Sequence, residues 1–147
     1  MDATLTPTTR PGLPALIGGL GLLWNAYGVV QFAGAVTATE ESLIATGLTG
    51  EQAAVMAHLP LWMTLAFAIG VFGGLAGSAL LMLRRALALP VLVASLAAYV
   101  VLYIGDIAKG VFAVMGAPQV IILTVVVAIA AGLVAATRHF ARRGALV

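Results

Sequence analysis

Ser95, Tyr99 and Tyr103 recur every four residues and Asp106 follows three later, a spacing that turns all four side chains in one direction on a helix. Phenol hydroxyls one turn apart, ending at a carboxylate, form a lining suited to a hydroxylated solute whose apolar face rests on the rings. A second polar group stands earlier in the chain, at Trp24, Asn25, Tyr27 and Gln31. Tyr27 and Gln31 share a helical face with Trp24, whereas Asn25 aligns with Gly28 and Phe32. Counted from residue 13, Asn25 stands about 18 Å along a helix. At such a depth in hydrocarbon its amide must find a partner, so it should point into a bundle. Each group also has a plain reading. Asn25 can serve as an interhelical hydrogen bond, Tyr103 as part of an aromatic belt, and Asp106 as a helix cap or a partner for Lys109.

Other chemistry has little to work with. Cysteine is absent, which excludes disulfides, thiolate nucleophiles and cysteine-ligated metals. His58 and His139 fall at opposite ends of the expected spans, with no near partner at metal-site spacing, so no metal or cofactor is expected. Weak acidic company for His58 comes from Glu40, Glu41 and Glu51. No phosphate loop, nucleophile elbow, zinc-protease helix or haem-attachment pattern occurs, and the expected protein is not an enzyme. The formal charge of +2 comes from few, scattered cations, too few for a phosphate-tracking face, so nucleic acid is not an expected partner.

The elements that would position the polar residues follow from composition. With 63% hydrophobic and 8% charged residues, the chain cannot cover a water-soluble globule. Apolar stretches over residues 13–36, 59–83, 87–106 and 117–137 meet or approach the roughly 20 residues that cross a bilayer. The expected fold is all-α: one domain over residues 1–147, four transmembrane helices in an antiparallel bundle. Six of the seven Lys and Arg residues (Arg10, Arg84, Arg85, Arg138, Arg142, Arg143) fall at one end of these stretches, and Glu40, Glu41, Glu51 and Asp106 at the other. That bias places both termini in the cytoplasm.

Pro11-Gly12 breaks the leading segment from the first span, and Pro14 suits a first helical turn. The leading segment lacks the order of a secretory signal, so no cleavage is expected. The outer loop, 37–58, should hold one or two short interfacial helices. Thr49 with Gln52 three residues on predicts one helix start there. Pro60 restarts a helix, Trp62 suits the headgroup layer, and the short link after Arg85 forces spans two and three into a hairpin. The fourth span, the most uniformly apolar, should have the greatest lipid exposure.

Gly70, Gly73, Gly74, Gly77 and Ser78 form the densest group of small residues. The pairs Gly70/Gly74 and Gly73/Gly77 would let a neighbouring helix approach closely, inside one chain or across a dimer.

The segment from Leu20 to Gly28 with its Leu-Trp-Asn-x-x-Gly core, then Leu59-Pro60-Leu61-Trp62, the small-residue group and Arg84-Arg85 resemble a family of small four-span bacterial inner-membrane proteins often labelled sugar transporter. Val30-Gln31-Phe32 stands where that family's pattern usually offers an Asp and a Tyr. The resemblance implies an inner-membrane location and transport of a polar solute such as a sugar. A four-span subunit seldom encloses a wide path alone, so a homo-oligomer is implied as well. Two other readings stay open: a non-catalytic membrane module that assembles with itself or a larger partner, and a lipid-binding accessory protein whose arginines meet anionic headgroups.

Overall fold

The computed structural model describes residues 12–147 and is all-helical over them. Four helices are long and apolar enough to cross a membrane: α1 (Leu13–Thr37), α4 (Leu61–Met82), α5 (Ala88–Ala108) and α7 (Ala117–Arg142). Three short ones fill the connections: α2 (Glu40–Ala45), α3 (Gly50–Ala57) and α6 (Val111–Met115). Local signals explain the boundaries. Pro14 lies in the first turn of α1, and Pro60 is the residue before α4. Thr49 and Gln52 form the expected reciprocal cap on α3, and Thr39 with Ser42 forms a second one on α2. The short α6 is new; Gly110 (φ 72°) and Gly116 (φ 78°) bracket it in backbone conformations that favour glycine.

The long helices alternate in direction and lie in the order α1, α4, α5, α7. Lipid is as apolar as leucine, so close packing has to hold such a bundle together. On the α1/α4 seam Gly18 lies against the Met82 backbone, Gly21 against Ser78, Asn25 against Gly74 and Gly28 against Val71. Phe32 closes that seam edge-on to Phe67 (5.4 Å) and Phe72 (5.7 Å). On the α4/α5 seam Gly70 receives the Tyr99 ring, Gly73 the Ser95 side chain and Gly77 Leu92. A methyl on Gly70 or Gly77 would come within 2.6 Å of these side chains, so both positions need glycine. The small residues of α4 therefore serve two neighbours: Gly74 and Ser78 face α1, while Gly70, Gly73 and Gly77 face α5.

The last helix is held less tightly. It packs along α5 and touches α1 and α4 sparingly, with Leu133 reaching Gly21. The expectation that the fourth span alone is the most exposed needs correction. In the most apolar window of α1 and of α7 alike, 22% of residues are buried, because both stand at the ends of the row.

Each end of the bundle has an apolar plug. At the acidic end α3 and α6 lie over the long helices, with α2 against α3 and Gln52 donating to the Val114 carbonyl (3.3 Å), above Met63, Ala66, Leu102, Val111 and Leu123. At the arginine end Leu81, Ala88, Phe140 and Ala145 cluster. Residues 145–147 fold back there against the α4/α5 hairpin: Ala86 N–H donates to Val147 O (2.7 Å), Val147 N–H to Arg84 O (2.8 Å) and Arg84 Nε–H to Ala145 O (3.2 Å). Arg84 adopts a left-handed backbone (φ 58°) in that turn.

Among the described residues Glu40, Glu41, Glu51, Asp106 and Lys109 share one end, and Arg84, Arg85, Arg138, Arg142 and Arg143 the other. The expectations for Arg10 and Pro11 lie outside the described residues.

Candidate solute site

At the centre of the bundle, residues of all four long helices surround a small crevice. Trp24 and Asn25 come from α1, Gly74 from α4, Leu92, Ser95 and Tyr99 from α5, and Val126, Ile129, Ala130 and Leu133 from α7. Asn25 is 3% exposed. Its Nδ2 donates to the Gly21 carbonyl (2.8 Å) and to Ser78 Oγ (3.4 Å), while Oδ1 lies against Gly74 where a side chain would otherwise stand. Ser95 Oγ donates to the Gly70 carbonyl at 2.6 Å. Tyr99, 4% exposed, has its ring over Gly70, and its hydroxyl joins none of these bonds. Among the described residues no fully enclosed side-chain nitrogen or oxygen lacks a partner, so the phenol oxygen reaches open space at the crevice it lines.

The crevice gives water centres a volume of about 10 Å³, roughly what one water molecule occupies. In this conformation it admits no larger solute. No charged side chain lines it, so it favours a neutral guest. The apolar clusters described above lie toward the two ends of the bundle from it.

Half of the eight expected lining residues meet here: Trp24, Asn25, Ser95 and Tyr99. The others do not. Tyr27 is 57% exposed and Gln31 is also exposed, both on the outer surface of α1. The reason is rotational: α1 turns Gly18, Gly21, Asn25 and Gly28 toward α4, and Tyr27 lies about 200° round the helix from Asn25. Its ring lies beside that of Trp24, centroids 6.3 Å apart. Tyr103 and Asp106 lie beyond Leu102, part of the acidic-end plug. Steps of four residues overshoot the helical repeat by about 40° each, which swings Tyr103 toward α7. Its hydroxyl lies 3.2 Å from Thr124 Oγ1, and its ring meets Phe112 edge-on. Asp106, 2% exposed, accepts a bond from Gln119 Nε2 (3.1 Å) instead of pairing with the exposed Lys109. The continuous polar line expected along α5 is thus broken by apolar packing.

Gln119 and Thr124 were not singled out from the sequence. Their signal was available, since they are polar residues in the most apolar stretch. His58 does find an acid: its Nδ1 lies 3.2 Å from Glu40 Oε1 in an exposed pair. No group of three potential metal ligands occurs among the described residues.

Four long apolar helices around a buried polar centre define the chain as a helical membrane protein. No known protein family, curated protein or solved structure matches the chain.

Proposed function

We propose that the protein is a small membrane transporter for a neutral polar solute, such as a sugar, and that the crevice at Asn25 and Tyr99 is its binding site in a closed state. The observation that carries this reading is the Tyr99 hydroxyl, which lies in an apolar bundle at the crevice and joins no hydrogen bond among the described residues. A hydroxyl kept so far from water is costly unless something other than the chain completes its hydrogen bonding. The apolar plugs on either side fit a site that opens to one face at a time. The sparse α1/α7 contact is where widening costs least. The chain lies in a bacterial inner membrane with both termini in the cytoplasm, as the arginine bias favours. The short helices α2 and α3 lie at the outer interface. A second copy completes any path wider than one subunit can enclose. Trp24 and Ser95 line the site, and neither it nor the transport step involves a cofactor or catalysis.

Uptake by proteoliposomes tests the proposal. Tyr99→Phe removes only the hydroxyl and Asn25→Ala the amide. Both should abolish flux of a permeant polyol or sugar while the protein stays folded; unchanged flux in both variants refutes the site.

A second reading is favoured by the bonds that Asn25 Nδ2 and Ser95 Oγ donate within the bundle. On this view the protein is a non-transporting module that packs with itself or a larger membrane partner. It predicts no flux of any solute through the parent protein.

A further inference from the structure

A larger hollow opens on the outside of the bundle, between α5 and α7. Val100, Tyr103 and Ile104 line one wall and Thr124, Val127, Ala128 and Ala131 the other, and the space measures about 360 Å³ to water centres. Its only polar side-chain groups, the hydroxyls of Tyr103 and Thr124, already face each other at 3.2 Å. Whatever fills the groove is therefore apolar there, and a hollow of this size does not stay empty in a bilayer.

The α7 wall leads to two cations. At 100° per residue Thr124, Ala128, Ala131, Arg138 and Arg142 fall on one face of α7, within a band about 80° wide. Both arginines are exposed. Arg138 stands about 10 Å along the helix from Ala131 and about 21 Å from Thr124. The hydrocarbon of one leaflet is about 15 Å deep, so the groove, about 10 to 21 Å from Arg138, receives the inner part of an acyl chain whose headgroup lies at Arg138. The four acids among the described residues all sit at the opposite end, so none of those four carboxylates competes for these cations.

We propose that the α5/α7 groove binds an anionic phospholipid from the leaflet at the arginine end, one acyl chain between the helices and the phosphate on Arg138 and Arg142. A second copy of the chain fits less well. A twofold pairing through this face would bring the same arginines of both copies together, and like charges repel.

Native mass spectrometry of the purified, delipidated full chain tests the proposal, with palmitoyl-oleoyl phosphatidylglycerol as probe and the phosphatidylcholine of identical chains as control. The expected result is a one-to-one phosphatidylglycerol adduct that phosphatidylcholine does not match. The double variant R138Q/R142Q should bind about 30-fold more weakly, at about a factor of five per arginine. Ala131→Trp, which fills the groove, should lose the adduct. Unchanged affinity in either variant overturns the proposal. So does effective competition by glycerol 3-phosphate, which shares the phosphate and lacks the chains and needs no variant to test. A dimer that Ala131→Trp dissociates, with no phosphatidylglycerol adduct in the parent, would assign the groove to a second copy and overturn it too.

Discussion

Gly74→Ala is the sharpest probe of the polar centre, because the added methyl would fall on Asn25 Oδ1. Two responses are open to the bundle. Asn25 can turn away and lose its bonds to Gly21 (2.8 Å) and Ser78 (3.4 Å). The interhelical one of these is worth about 0.6 kcal/mol in a membrane protein, and the other about 1 kcal/mol. Alternatively α1 and α4 move apart, which at typical overpacking costs is about 1–3 kcal/mol. Alanine's better helix propensity returns up to about 1 kcal/mol. Set against the full propensity gain, the first response leaves a net loss of about 0.6 kcal/mol and the second about 0–2 kcal/mol. Reversible unfolding in mixed micelles measures it. Gly132→Ala is the internal control: it lies on α7 with nothing within 4 Å of the added methyl, so only the propensity gain applies. The double variant Asn25→Ala/Gly74→Ala completes a cycle in which the penalty at position 74 should shrink by about 1 kcal/mol or more. If Gly74→Ala behaves like Gly132→Ala, or if its penalty persists when Asn25 is truncated, the proposed contact between amide and glycine is wrong.

Other expectations follow from the same geometry. Gln119→Ala removes a side-chain donor to the buried Asp106 carboxyl and should lower stability by about 1–3 kcal/mol in the same unfolding assay. Arg84→Gly and Arg84→Ala both delete the bond to Ala145, but only glycine suits φ 58°. The glycine variant should therefore be more stable than the alanine one by about 1 kcal/mol. Thr49→Ala breaks the reciprocal cap on α3; amide exchange over α3 should accelerate by roughly fivefold for a loss of about 1 kcal/mol.

Much of the architecture was legible because its signals are local. Length and apolarity mark the four long helices, and Thr49 with Gln52 marks the start of α3. The hairpin between α4 and α5 follows from a link too short for anything else. The small α6 was missed because its five residues carry no side-chain cap and its limits depend on two glycine conformations. The candidate site was half legible. Depth and polarity pointed to Asn25 and Tyr99, yet neither property says which way a side chain faces. Tyr27 and Gln31 share the span with Asn25 and face outward. Gly18, Gly21 and Gly28 carried the missing signal, since with Asn25 they trace the one α1 face narrow enough to meet α4.

Taken alone, the amino-acid order determined how many apolar helices form, where they start and stop, and how charge divides between their ends, because each depends on neighbours a few residues apart. Tertiary structure decided the rest. Which face of α1 meets α4, which α4 glycine admits Asn25 and which admits Tyr99, and how Leu102 cuts Asp106 off from the crevice all depend on helix rotation and order in the bundle. Apart from a few polar positions such as Asn25, the faces of these helices are apolar enough to be exposed to hydrocarbon, so hydropathy alone chooses poorly among rotations. Steric fit between helices makes that choice, and it becomes visible only when the helices stand side by side.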